Sequence, residues 1–365
     1  MQSRKGFWLG FAPALLLTIV SIVTPGAALA AESTMPASYV EIIKPELAAK
    51  YEYIEDGEYT KALNIPTYQW MPVGTPPKAI FIGIHGLTLH GRRFRVLARS
   101  LAVNGLGFIA MDMRGFGRCH FDPKKQFSTA DDDRTKVNHE KSYEEIVELA
   151  KLVKAKYPET RVIALGESLG CTFCVRLAAE HPELVMGTVL SAPATALNKD
   201  MYAGRGQIRQ GIKAIVVPSH ELSLESFFAN LCSSRVEVQK EMTEDPLIRK
   251  ELTLKALLST DAFCAKTDNF GKSTSPKLAV LILQGSADGC VSPEHVTKLM
   301  NAMPSDDQTL AWRGNYGHLQ LETMYLRAAS VNAIVNWLTD HSHDQLAKLE
   351  GLNQNITDLG GTVTK

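Results

Sequence analysis

The chain has 365 residues, 45% of them hydrophobic and 21% charged, enough to bury one large core or a core with a small accessory domain. Lysine plus arginine total 39 and aspartate plus glutamate also total 39. That balance leaves no basic surplus to recruit nucleic acid and no acidic tail.

Arg4 and Lys5 precede an apolar run over residues 7–23, followed by Thr24-Pro25-Gly26 and Ala28-Leu29-Ala30. A basic head, an apolar centre and a small-residue A-x-A end describe a secretory signal peptide, with cleavage expected after Ala30 and a periplasmic or secreted product. The alternative is an uncleaved anchor, but the run is 17 residues long and contains Pro13, short of the ~20 residues that span a bilayer. Residues 31–50 read as a polar lead-in with a short helix. Residues 58–64 and 66–70 are predicted as two strands of a meander, ahead of a proline-rich turn over 72–77.

The pattern then changes to alternation. Strands are predicted at 79–84, 107–111, 161–165, 186–190, 278–283 and 309–312, with helices at 92–104, 143–157, 169–181, 293–303 and 321–341. The strands are near-continuous apolar runs, as expected of a parallel sheet covered on both faces. Strand and helix in alternation imply an α/β sheet with right-handed crossovers. Two segments break the rhythm. Residues 116–140 form a polar loop containing Asp131-Asp132-Asp133, read as solvated, with a calcium site as the alternative. Residues 194–275 carry helix-like pieces at 207–216, 224–231 and 246–259 without a parallel strand, and read as a cap over the sheet's C-terminal edge. The expected division is a leader (1–30), a core in two parts (31–193 and 276–342), the cap (194–275) and a tail (343–365).

Gly166-Glu167-Ser168-Leu169-Gly170 lies between the run 161–165 and the helix that starts at 169. A buried strand entering a helix through Gly-x-Ser-x-Gly turns sharply. Gly166 and Gly170 let the two backbones approach, and Ser168 is held at the tip above the helix N-terminus. A serine hydroxyl needs a base to take its proton, and the base needs a carboxylate to fix its tautomer. Strand 278–283 runs into a loop with Asp288, and strand 309–312 into a loop with His318. The order Ser168, Asp288, His318 follows. Asp261 and Asp268, within the cap, are poorer acids, and His295, in a helix, a poorer base. Oxyanion donors are expected from the Leu169 N–H and from Leu87 in His85-Gly86-Leu87, with His85 structural. Asp112 and Arg114 read as an ion pair or turn anchor.

Those blocks, with Asp112-Met113-Arg114-Gly115-Phe116-Gly117, Gly285-Ser286-Ala287-Asp288 and Gly317-His318, resemble the α/β-hydrolase fold and, within it, the monoacylglycerol lipase and lysophospholipase-like serine hydrolases. The likeness covers residues 58–340. It implies a mostly parallel sheet flanked by helices, with a helical cap between strands 6 and 7. It also implies hydrolysis of a small acyl ester beneath a mobile cap that makes transient contact with lipid surfaces, with no metal or organic cofactor. Two departures bear on substrate identity: Cys171 stands where such lipases often carry a further glycine, and the loop after Gly117 is long and charged.

The same residues are compatible with other functions. Aminopeptidase-like relatives share the blocks, and a peptidase would place acids such as Glu221, Glu225 or Glu237 in the cap to hold an amine. A non-catalytic lipid-binding protein could keep the fold. Phe227 and Phe228 are candidates either to line an acyl pocket or simply to pack the core of the cap. Six cysteines permit disulfides in an exported protein, and Cys232 with Cys264, in one irregular region, is the first pair to consider. Cys171 and Cys174 form a C-x-x-C inside a helix and read as apolar packing.

Overall fold

The structure is a computed structural model that describes residues 45–196, 221–225 and 231–341. The expected leader, the cap piece at 207–216, Phe227 and Phe228 and the tail lie outside the described residues.

Eight strands form one sheet in the order β1-β2-β4-β3-β5-β6-β9-β10. They are β1 (Tyr51–Glu55), β2 (Thr67–Pro72), β3 (Ala79–Ile84), β4 (Gly107–Met111), β5 (Arg161–Glu167), β6 (Gly187–Ser191), β9 (Ala279–Gly285) and β10 (Gln308–Arg313). From β4 through β10 every pairing is parallel, while β2 runs antiparallel to both β4 and β1. This is the α/β-hydrolase fold. The sheet's two faces sort the side chains by period two. In β3, Ile80, Ile82 and Ile84 join the apolar cluster beneath helices His139–Lys156 and Leu169–Glu180. Ala79 and Phe81 join the opposite cluster, covered by helices Arg95–Ala102 and Ala328–Asp340. Burial on both faces explains the unbroken apolar runs.

Between β6 and β9 the described chain forms a two-stranded antiparallel pair, β7 (Glu221–Ser223) and β8 (Glu251–Thr253), with helices Val236–Glu244, Leu254–Cys264 and Thr267–Lys272. Among the described residues, no helix is long and apolar enough to cross a membrane.

Two sequence expectations are corrected. Residues 58–64 are not a strand: Glu58–Leu63 is a helix that buries the adjacent Tyr59 and Thr60 and ends at Asn64 in the left-handed conformation, φ 53°. Asparagine tolerates that αL cap, and the antiparallel edge position goes to β1 instead. The last helix begins at Ala328, not near 321, because Leu321 and Glu322 spend their N–H groups on a buried carboxylate, Glu167.

Ile84 pairs with Gly166 across β3 and β5, which brings the start of the following helix against the end of β3. A Cβ built on Gly170 would stand 1.9 Å from the Ile84 carbonyl oxygen, whereas one on Gly314 meets nothing within 4 Å. Gly170→Ala is therefore expected to cost at least about 2 kcal/mol of unfolding free energy, and Gly314→Ala to be near neutral. Equal denaturant midpoints for the two variants would contradict this packing.

Candidate active site

The parallel strands β3, β5, β9 and β10 all end at one rim, and each hands over there to a chemically equipped loop. Ser168 follows β5 with φ 55° and ψ −117°, a conformation that costs a non-glycine residue ~1–3 kcal/mol. Neighbouring bonds impose it. The Ser168 N–H donates to the Ser191 carbonyl at 2.8 Å, and a Cβ on Gly166 would stand 2.4 Å from the Gly170 carbonyl carbon. Cys171, the departure from the expected glycine, donates its thiol to the Gly166 and Ser191 carbonyls and fits the elbow without opening it.

Asp288 and His318 stand together. His318 Nδ1 donates to Asp288 Oδ2 at 2.9 Å, and both side chains are buried. Gln284 Nε2 donates to the same oxygen, and the Cys290 and Val291 N–H groups donate to Oδ1. Burial disfavours the imidazolium, but the Asp288 charge and hydrogen bond outweigh it and lift His318 to about 9. His295 instead bonds Ser292 and Lys298. Asp261 is largely exposed at the edge of the cavity that Ser168 and His318 also line, while the carboxylate bonded to His318 is Asp288.

His85 is buried with Nδ1 donating to the Gly86 carbonyl and Nε2 accepting from the Met113 N–H. Burial pushes it down to about 4, so it is a neutral strut between β3 and β4. Asp112 and Arg114 do not pair. Asp112 anchors a turn by accepting from Tyr68 and from the Gly91 and Arg118 N–H groups. Arg114 binds Asp132 and Glu145. Asp132 also receives Arg134 and Lys141, so cations on the chain itself already occupy the middle of the acidic triplet.

Two buried carboxylates went unnoticed in the sequence. Glu167, the variable residue of the Gly-x-Ser-x-Gly turn, accepts the Ser191 hydroxyl and the N–H groups of Gln320, Leu321 and Glu322. It thus clamps the loop that follows His318 onto the serine turn. Glu322 accepts the Gly86 N–H at 2.8 Å and ties the same loop to His85-Gly86-Leu87. Burial first, and the neighbouring Glu167 second, push the Glu322 carboxyl well above its ordinary 4.5. An acidic residue beside the serine was the only signal available.

Ser168, Leu169, Leu87 and His318 line one cavity of about 140 Å³. Its walls are largely apolar, with Leu89, Leu224, Met242, Leu257 and Val291 contributed by core and cap. Glu221 is bound to Arg249, Glu237 lies beside Arg235 and Glu225 is exposed. None of the three lines the cavity. Among the described residues, one group has metal-ligand spacing: Asp288, Cys290 and His318. Asp288 and His318 already bond each other through the atoms that would ligate, so a cation there would have to break that bond. No pair of the six cysteines is bonded. Cys232 does not face Cys264: its sulfur lies 3.7 Å from that of Cys290, while Cys264 bonds Thr172.

The family described as serine aminopeptidase, S33, matches residues 75–322. Monoglyceride lipase of Homo sapiens is 27% identical over 277 residues, 75% of this chain and 86% of that protein. The Rattus norvegicus monoglyceride lipase is 26% identical over 273 residues, covering 74% and 85%. Among solved structures, a soluble variant of Saccharomyces cerevisiae monoglyceride lipase with a substrate analogue aligns with TM-score 0.63 at 19% identity, over 80% of this chain and 94% of that one. Paleococcus ferrophilus monoacylglycerol lipase aligns with TM-score 0.59 at 24% identity, over 76% and 99%.

The two carboxylates are expected to respond differently to substitution. Glu322 binds its proton more tightly in the fold than in the unfolded chain, so its stabilising contribution is complete below 4.5 and is lost as pH rises through the folded value. Glu322→Gln, which cannot ionise, is expected to flatten the fall in melting temperature as pH rises above 4.5; a fall as steep as in the parent would contradict the assignment. Glu167→Gln turns an amide donor toward backbone donors and is expected to cost about 2 kcal/mol at neutral pH.

Proposed function

The chain belongs to the serine aminopeptidase S33 family of hydrolases, and from that premise we propose that it is an exported serine hydrolase cleaving lipid-like carboxylic esters, of monoacylglycerol or lysophospholipid type, through an acyl-enzyme on Ser168. One observation carries the reading: a strained serine at a strand–helix elbow opens on the same apolar cavity as a histidine whose Nδ1 is held by a buried carboxylate.

The chemistry follows from that arrangement. With Nδ1–H committed to Asp288, the basic nitrogen of neutral His318 is Nε2. It takes the Ser168 proton as the hydroxyl oxygen attacks the acyl carbonyl. The N–H groups of Leu87 and Leu169 receive the developing oxyanion; Leu169 opens its helix, where the first N–H groups have no intrahelical partner. One such donor is worth ~3 kcal/mol in the barrier. His318 then protonates the leaving alcohol, and water activated by the same nitrogen releases the acid. None of these steps calls on a metal or organic cofactor.

Apolar walls favour an acyl chain, and the names of the monoglyceride lipase relatives support the same substrate class. Hydrolysis of aminoacyl amides, which the family description suggests, gains no support from Glu221, Glu225 and Glu237, which lie away from the cavity lining; among the described residues, Asp261 is the carboxylate outside the Asp288–His318 pair that reaches it, in walls that are otherwise largely apolar. A transient contact between the cap and a lipid surface belongs to the same reading; Val236, at the start of a cap helix, is 71% exposed. Export is supported by the basic, apolar and small-residue segments that end at Ala30.

Turnover of a short-chain ester tests the assignment. Below its folded value His318 is charged and cannot accept a proton, so kcat/KM is expected to rise with pH toward a midpoint near 9 rather than the ordinary ~6.5. Asp288→Asn removes the charge that lifts the imidazole, and is expected to lower both the midpoint and kcat, the latter by about 10⁴-fold. A profile flat from pH 5 to 8, or Asp261→Asn reducing turnover in place of Asp288→Asn, would overturn the assignment.

A further inference from the structure

We propose that Cys232 and Cys290 form a reversible disulfide that pins the cap segment to the loops carrying Asp288 and His318. Their sulfurs are 3.7 Å apart and both residues are buried, although 58 positions separate them in sequence. A bond needs sulfurs at about 2.05 Å on backbones already close together, and here the backbones touch. A Cβ on Gly289 would lie 2.8 Å from the Leu231 carbonyl oxygen, and one on Gly317 would lie 3.2 Å from that of Cys232. The Cys232 carbonyl accepts the N–H groups of both His318 and Leu319, at 3.0 and 3.1 Å. The Cys290 N–H donates to Asp288. Closing the remaining gap therefore needs side-chain rotation, with both main chains held in place.

The other cysteines have different surroundings. The sulfurs of Cys119 and Cys171 donate to backbone carbonyls, and Cys264 bonds Thr172. Cys232, Cys264 and Cys290 all line the cavity, which gives a small oxidant a route to them; among the described residues only Cys232 and Cys290 are within 4 Å sulfur to sulfur. The oxidant is a small organic disulfide. One protein thiolate attacks it and releases one small thiolate. The second protein thiolate attacks the mixed disulfide and releases the other. Two protein thiols and one small disulfide become one protein disulfide and two small thiols. Burial raises the Cys290 thiol, so exchange is expected to be slow at neutral pH and faster at alkaline pH. The cross-link would fasten the cap without moving the backbone groups that bond Asp288 and His318. It would also be independent of what the site hydrolyses.

The full chain is treated with bis(2-hydroxyethyl) disulfide at pH 8.5, unfolded, alkylated and digested without reductant. The expected result is a linked pair of peptides containing Cys232 and Cys290, with the remaining four cysteines alkylated. The oxidised protein is also expected to melt about 5 °C above the reduced one, and C290S to lose that reductant-dependent shift. Recovery of Cys232 and Cys290 as alkylated thiols or as mixed disulfides would overturn the proposal. So would a link from either residue to Cys264, or a shift that persists in C290S.

Discussion

A buried carboxylate that receives three consecutive backbone N–H groups from a distant loop is the constraint on which the site depends. Glu167 ends β5 immediately before Ser168, and it collects Gln320, Leu321 and Glu322 from the chain just beyond His318. The loop after β10 is also held by Cys232, Asp288 and Glu241, but Glu167 is what joins it to the turn that carries the serine. With the clamp, the imidazole and the serine turn share one rigid support, and Glu322 extends that support to Gly86. Strain at Ser168 is tolerable because the groups around it cannot relax independently.

Charge is organised around the same point. Asp288 is surrounded by donors from Gln284, Cys290, Val291 and His318. Glu322, deeper and short of donors, is pushed toward its neutral form. Three carboxyl groups can therefore stand near one another in a poorly solvated region. One faces the imidazole and one binds backbone; burial raises the carboxyls of both Glu167 and Glu322, and their mutual repulsion raises that of Glu322 further.

The strand–helix alternation was legible because β3, β4, β5, β6 and β9 are buried on both faces and read as apolar runs. Ser168, Asp288 and His318 are legible as residues on loops beyond strand ends, and the glycines flanking Ser168 mark the close backbone approach seen between Gly166 and Gly170. The antiparallel edge was not legible. Glu58–Leu63 carries tyrosine and threonine, which suit a strand, and only the Asn64 cap marks the helix end. The Glu167 clamp escaped because its partners lie some 150 positions away and are backbone groups, which no residue type advertises. The nearness of Cys232 to Cys290 rather than Cys264 escaped for a similar reason: sequence spacing says nothing of how the cap folds back against the acid loop. The acidic triplet pointed outward to solvent or calcium, but its central member faces Arg114, Arg134 and Lys141.

The relay's central claim is that one hydroxyl becomes nucleophilic because of a histidine and a carboxylate from two other loops. Reaction with a fluorophosphonate, followed by peptide mass mapping, reads this directly. The account predicts a single phosphonylated residue, Ser168, with labelling lost in a folded His318→Ala variant. Labelling at any other residue, or undiminished labelling of Ser168 in that variant, would contradict it.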